Sequence, residues 1–152
     1  MEVRMELSRI LIRELVDHQI IELREVIDDD EAEVAGDALG AEDDEARRFP
    51  IVIGLPEAQA IERRLKGVSI KRPQTHDLLA NIIAELGGTL EAICVNDLSE
   101  HTFFAVLRVT TAGGEQIEID SRPSDAIALG IAERAPIFVA EHVLDQALQD
   151  PF

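Results

Sequence analysis

The sequence has no tryptophan and no tyrosine, and five phenylalanines make up its 3% aromatic content. With 46% of its 152 residues apolar, the core must therefore be aliphatic, and any stacking of unpaired bases would have to rest on Phe or His. Cysteine is almost absent as well. Cys94 alone excludes an internal disulfide and a multi-cysteine zinc site, and it points to a reducing, cytoplasmic setting. Its place in the apolar phase of a strand makes it a small buried hydrophobe. No apolar run reaches the ~18 residues of a membrane span, and the opening MEVRMELSRI has no apolar signal core. Positive charge is scarce too. Fourteen Lys and Arg face thirty-one Asp and Glu, a net charge of -17 that favours solubility and repels phosphate backbones at long range.

That charge is uneven. Residues 28–45, DDDEAEVAGDALGAEDDE, hold ten acids and no base, whereas from Phe49 onward fifteen acids face eight bases. The acidic stretch has too few large apolar residues to fold alone, so 28–48 is expected to be a flexible loop. One domain of 152 residues is expected overall, with 1–27 as an N-terminal β-hairpin and 49–150 as the remainder. In the hairpin, Val3, Met5 and Leu7 alternate with polar residues, the phase slips near Arg9, and QIIELREV is the return strand.

After RRFPIVIG, a short apolar strand, LPEAQAIERRLKG reads as a helix with Pro56 in its first turn, Gly67 as C-cap, and Ala58, Ile61 and Leu65 as the buried stripe. RPQTHDLLANIIAELGG reads as a second helix, with Thr75 as N-cap and a broad apolar face of Leu78, Leu79, Ile82, Ile83 and Leu86. From Thr89 the period changes to two: TLEAICVNDL, TFFAVLRVTT and EQIEIDS predict an antiparallel meander. A helix after Pro123, the strand APIFVA and a closing helix follow, and three helices share a Pro-led start. The pattern predicts an α+β domain, a mixed and mostly antiparallel sheet packed against helices.

Chemistry-bearing residues gather in three places. His76 and Asp77 open the second helix. Acids suit the positive end of a helix, which gives Asp77 a structural reason to exist, whereas His76 there is not favoured as a cation and is available as a base or ligand. In IEIDSRPSDAIAL, Glu118 and Asp120 share one strand face about 7 Å apart. Were Asp125 to fold back, the three carboxylates could surround Mg²⁺ or Mn²⁺; helix capping by Ser121, Ser124 or Asp125 is the plainer account. Arg63, Arg64, Lys66, Lys71 and Arg72 form the densest basic run, either offsetting a helix C-terminus or steering phosphate. His18, His101 and His142 have no motif around them, and Gly113 and Gly114 form a turn rather than a phosphate cradle.

FPIVIGLPEAQAI, RPQTHDLL and DSRPSDAIALG, in this order, resemble the bifunctional nuclease family of bacteria and plants over roughly residues 49–145, and the N-terminal hairpin looks like that family's opening strands. The resemblance implies an α+β fold, a homodimer, and nuclease activity on DNA and RNA. Its polar motif members here are Glu57, His76, Asp77, Asp120, Arg122, Ser124 and Asp125. The expectation drawn from it is a DNase and RNase using a divalent metal. Asp120 and Asp125 are its metal ligands with Glu118 in reserve, His76 is a base or acid oriented by Asp77, and Arg122 clamps the phosphate, with Arg63, Arg64, Lys71 and Arg72 steering it. Glu57, Ser124 and Glu118 are further polar candidates of the site, and the alternative is a non-catalytic dimeric module that uses the same polar patch and the acidic loop for a protein or small anionic ligand. The acidic segment departs from the family, which has a short turn there.

Overall fold

The computed structural model describes residues 1–13, 15–27 and 45–149. The acidic segment anticipated over 28–48 lies outside these residues as far as position 44. Strands β1 (Glu2–Leu11), β2 (His18–Glu25) and β3 (Arg48–Gly54) are followed by helices α1 (Leu55–Lys66) and α2 (Thr75–Glu85). Strands β4 (Thr89–Ser99), β5 (Thr102–Thr110) and β6 (Gln116–Ser121) form the meander, and α3 (Pro123–Ala132), β7 (Ile137–Ala140) and α4 (Glu141–Gln149) complete the chain. The described strands make one sheet in the order β3-β2-β1-β7-β4-β5-β6, antiparallel except where β7 runs parallel to β4. This is the expected α+β domain. None of the described helices is long and apolar enough to cross a membrane.

Local patterning explains most of it. The phase slip near Arg9 is a bulge in the β1–β2 pairing between Leu7 and Arg9, which lets Ile10 rejoin the row of core-facing side chains. One face of the sheet carries the aliphatic core, with Ile21, Leu23, Ile93, Val95 and Val139 fully buried under α1, α3 and α4. Cys94 is also fully buried, and burial pushes its thiol up to about 12, which keeps it a neutral, inert hydrophobe.

The helices depart from expectation in three ways. Leu65 is half exposed, and Arg64 takes the inner place behind Ala58 and Ile61. The reason is polar: Arg64 Nε and Nη2 donate to the carbonyls of Ala128 and Leu129, and Nη1 donates to Asp77. Gln74 rather than Thr75 caps α2, in a reciprocal box in which the Gln74 backbone N–H donates to Asp77 Oδ2 at 2.9 Å. Finally, the apolar face of α2 is largely open, with Leu78, Leu79, Ile82 and Leu86 between 40% and 75% exposed.

Candidate active site

Each of the three Pro-led helix starts brings one polar group to the same place. Glu57 lies in the first turn of α1, His76 in that of α2 and Asp125 in that of α3, whose N-cap is Arg122. Their side chains line a cleft of about 300 Å³ with Arg63, Gln74 and Thr75. Among the described residues neither α1 nor α3 has a side-chain cap bond. The unpaired N–H groups of their first turns therefore leave partial positive charge beside the cleft. That potential is local, because at physiological salt the screening length is about 8 Å.

Asp125 is the centre of the arrangement. Its Oδ1 lies 2.9 Å from His76 Nε2, and its Oδ2 accepts from Arg122 Nε at 2.8 Å. Arg122 Nη2 also donates to Oδ1 at 3.1 Å, while Nη1 reaches Glu57 Oε1 at 3.4 Å. Burial alone would raise the Asp125 carboxyl, but the hydrogen bonds from Arg122 and His76 outweigh it and hold the group below the ordinary aspartate value. An ionised carboxylate can only accept, so Nε2 carries the proton of the neutral imidazole and Nδ1 keeps its lone pair. Asp125, through its hydrogen bond first, and then Glu57 hold Arg122 charged.

Asp77 does not orient His76. Neighbouring residues on a helix point about 100° apart, so Asp77 turns away from the cleft. Its oxygens accept from Arg63 at 2.8 Å, from Arg64 and from the Gln74 amide. Burial opposes its ionisation and these bonds overcome it, lowering its pKa. The steering set divides accordingly. Arg63 and Arg64 are committed to Asp77, although Arg63 still lines the cleft, whereas Lys71 and Arg72 are exposed on the loop before α2.

Nor are Asp120 and Asp125 brought together. Register pairs Asp120 with Val106 and Glu118 with Arg108, which puts both acids on the sheet face away from the helices, where Glu118 Oε2 accepts from Arg108 Nε at 3.1 Å. Among the described residues no group of three or more His, Cys, Asp or Glu side chains gathers as a metal site. Among the described residues, then, the expected metal set of Asp120 with Asp125 is not assembled.

Two histidines without a motif prove to be well placed. His18 and His101 line a second cleft of about 530 Å³ with Asp17, Thr102, Phe103 and Ser124, and Glu57 and Arg122 line both clefts. Gln19, fully buried, bonds the backbone of Arg13 and Val16 and so fixes the turn that presents Asp17 and His18. His101 sits in a two-residue hairpin with Glu100, both at positive φ, 65° and 51°. That was its signal in the sequence, because Asn-Gly is the favoured pair in such a turn. His142 lies elsewhere, 3.6 Å from Asp97.

Comparison with known proteins gives a family and distant relatives. Residues 39–151 match the bifunctional nuclease domain. Uncharacterized proteins of two strains of Mycobacterium tuberculosis are 43% identical over 101 residues, which is 66% of this chain and 59% of theirs. Bifunctional nuclease 2 of rice, Oryza sativa subsp. japonica, is 27% identical over 103 residues, 66% of this chain and 32% of that protein.

Proposed function

The chain belongs to the bifunctional nuclease domain family, and from that membership and the site geometry we propose that it hydrolyses phosphodiester bonds of RNA and DNA in the cleft where the three helix starts meet. The observation that carries this reading is the continuous contact from His76 through Asp125 to Arg122. His76 Nδ1 takes the proton of the attacking water, or of the 2′-hydroxyl in RNA, a role that contributes roughly 10²–10⁴-fold. Asp125 fixes the imidazole tautomer and stabilises the imidazolium that forms. Arg122 and the helix N–H groups offset the charge that grows on the phosphate. For phosphate to enter, Arg122 Nη1 exchanges Glu57, the longer of its contacts at 3.4 Å.

These steps use the protein's own groups alone. Mg²⁺ or Mn²⁺ assistance is the second form of the proposal: ions carried on substrate phosphates need only one or two protein carboxylates, and Glu57 is the one shared by both clefts. The test is cleavage of labelled single-stranded RNA and DNA by the purified chain, with Mg²⁺, with Mn²⁺ and with EDTA, beside His76→Ala. Cleavage that persists in EDTA and is lost in the variant supports the side-chain mechanism, and loss in EDTA moves the proposal to the metal-assisted form. Equal cleavage by His76→Ala refutes both. Binding of nucleotide without turnover would favour the non-catalytic module, with Arg122 locked between Asp125 and Glu57.

For the assembly we propose a homodimer across the open face of α2. Two copies of charge -17 repel, and Leu78, Leu79 and Ile82 expose uncharged, apolar side chains together on one helix face. Light scattering should give a dimer mass that Ile82→Glu halves; a monomer in the unsubstituted chain sinks the proposal.

A further inference from the structure

We propose that the larger cleft seats the base of an unpaired nucleotide whose phosphate lies in the smaller one, with His101 as a recognition residue. The inference rests on the nuclease reading above and adds to it where the substrate lies. Glu57 and Arg122 line both clefts, so a ligand spanning them places one part against Arg122 and another in the larger cleft. A volume of about 530 Å³ is that of a small-ligand site. Phe103, nearly buried and stacked on Phe49 with ring centroids 5.5 Å apart, joins Pro123 in giving the cleft an apolar part. Asp17, His18, His101 and Thr102 supply polar atoms. A flat apolar body with donor and acceptor edges is what a nucleobase offers. The carboxylate of Asp17 repels a phosphate but accepts from an exocyclic amine, which favours the base over a second phosphate here.

The hairpin is the independent observation. Glu100 and His101 both occupy left-handed backbone at φ 51° and 65°, uncommon for residues other than glycine; histidine is met there more often than most, and the turn's preferred pair is Asn-Gly. Strain of this kind persists where the surrounding structure uses it, and the His101 side chain reaches the cleft. The turn gives up stability to put an imidazole at this site.

The experiment follows amide shifts and heats of binding as the full chain is titrated with ribo- and deoxyribonucleoside 5′-monophosphates, and it measures oligonucleotide cleavage in parallel. Shifts should concentrate at Thr102 and Ser124. His101→Gly should raise the melting temperature yet weaken nucleotide binding about tenfold, the value of one base contact, and raise KM for cleavage more than it alters kcat. Glu100→Asn relieves the same turn without touching the cleft, so it should raise the melting temperature and leave affinity unchanged. Unchanged affinity in His101→Gly, or shifts confined to other surfaces, overturns the inference while cleavage, if intact, leaves the nuclease reading standing. His101-dependent binding without cleavage gives the converse: the cleft stands and the nuclease reading falls.

Discussion

Helices α2 and α3 are both rich in apolar residues, and the fold treats them oppositely. α3 buries seven of its ten residues, from Pro123 through Gly130, whereas α2, described in full, buries none of its eleven. α3 lies against β4 and β5 and is a rigid support for Arg122, Ser124 and Asp125. α2 is a cover. Its first turn is fastened by polar contacts, Asp77 to Arg63 and Arg64 and His76 to Asp125, and His76 is carried on it. One side of the site is thus set by packing and the other by charge.

The two kinds of attachment should fail differently. The largest effect is expected in α3: Leu129→Ala, at a side chain 1% exposed, should cost about 4 kcal/mol in denaturant unfolding, through lost transfer energy and the cavity left behind. Asp77→Ala should cost about 3 kcal/mol, because it leaves Arg64, whose side chain is 5% exposed, without its carboxylate. It should also slow cleavage by loosening the turn that holds His76. A cost below about 1 kcal/mol would mean that charge does not fasten α2.

A smaller effect comes with acid. Asp77 and Asp125 both have lowered pKa values in the fold, so their stabilisation is fully present above the ordinary aspartate value of about 3.9. It is lost as pH falls below that value and through their folded ones. The melting temperature should therefore drop below about pH 4, and Asp125→Asn should flatten that limb; an unchanged acid limb would show that the contacts do not bias ionisation. The smallest effect is Leu65→Ala, at a side chain 53% exposed on α1, which should change stability by no more than about 0.5 kcal/mol.

What was legible in the sequence was local. The slip near Arg9, the meander after Thr89, and the helix starts at Pro56 and Pro123 follow from periodicity and from residues with a single conformational use. What was not legible was relational. The stripe of Leu78, Leu79 and Ile82 has the spacing of a buried face, but spacing cannot say whether another element covers it. His76 and Asp77 look like a pair because they are adjacent, yet adjacency on a helix separates them, and the carboxylate on His76 comes from forty-nine residues away. His18 and His101 lie at separate hairpins, and only the fold brings both to one cleft. The three Pro-led starts were visible singly, and their convergence required the fold.

On the proposed function, His76 and Asp125 act as one unit across the boundary between the packed helix and the clipped one. The direct measurement is the single-turnover cleavage rate of the unsubstituted chain, His76→Ala, Asp125→Ala and the double variant under one set of conditions. A unit predicts that the double variant loses no more than the worse single variant. Losses that multiply, each substitution acting as if the other were absent, would contradict it.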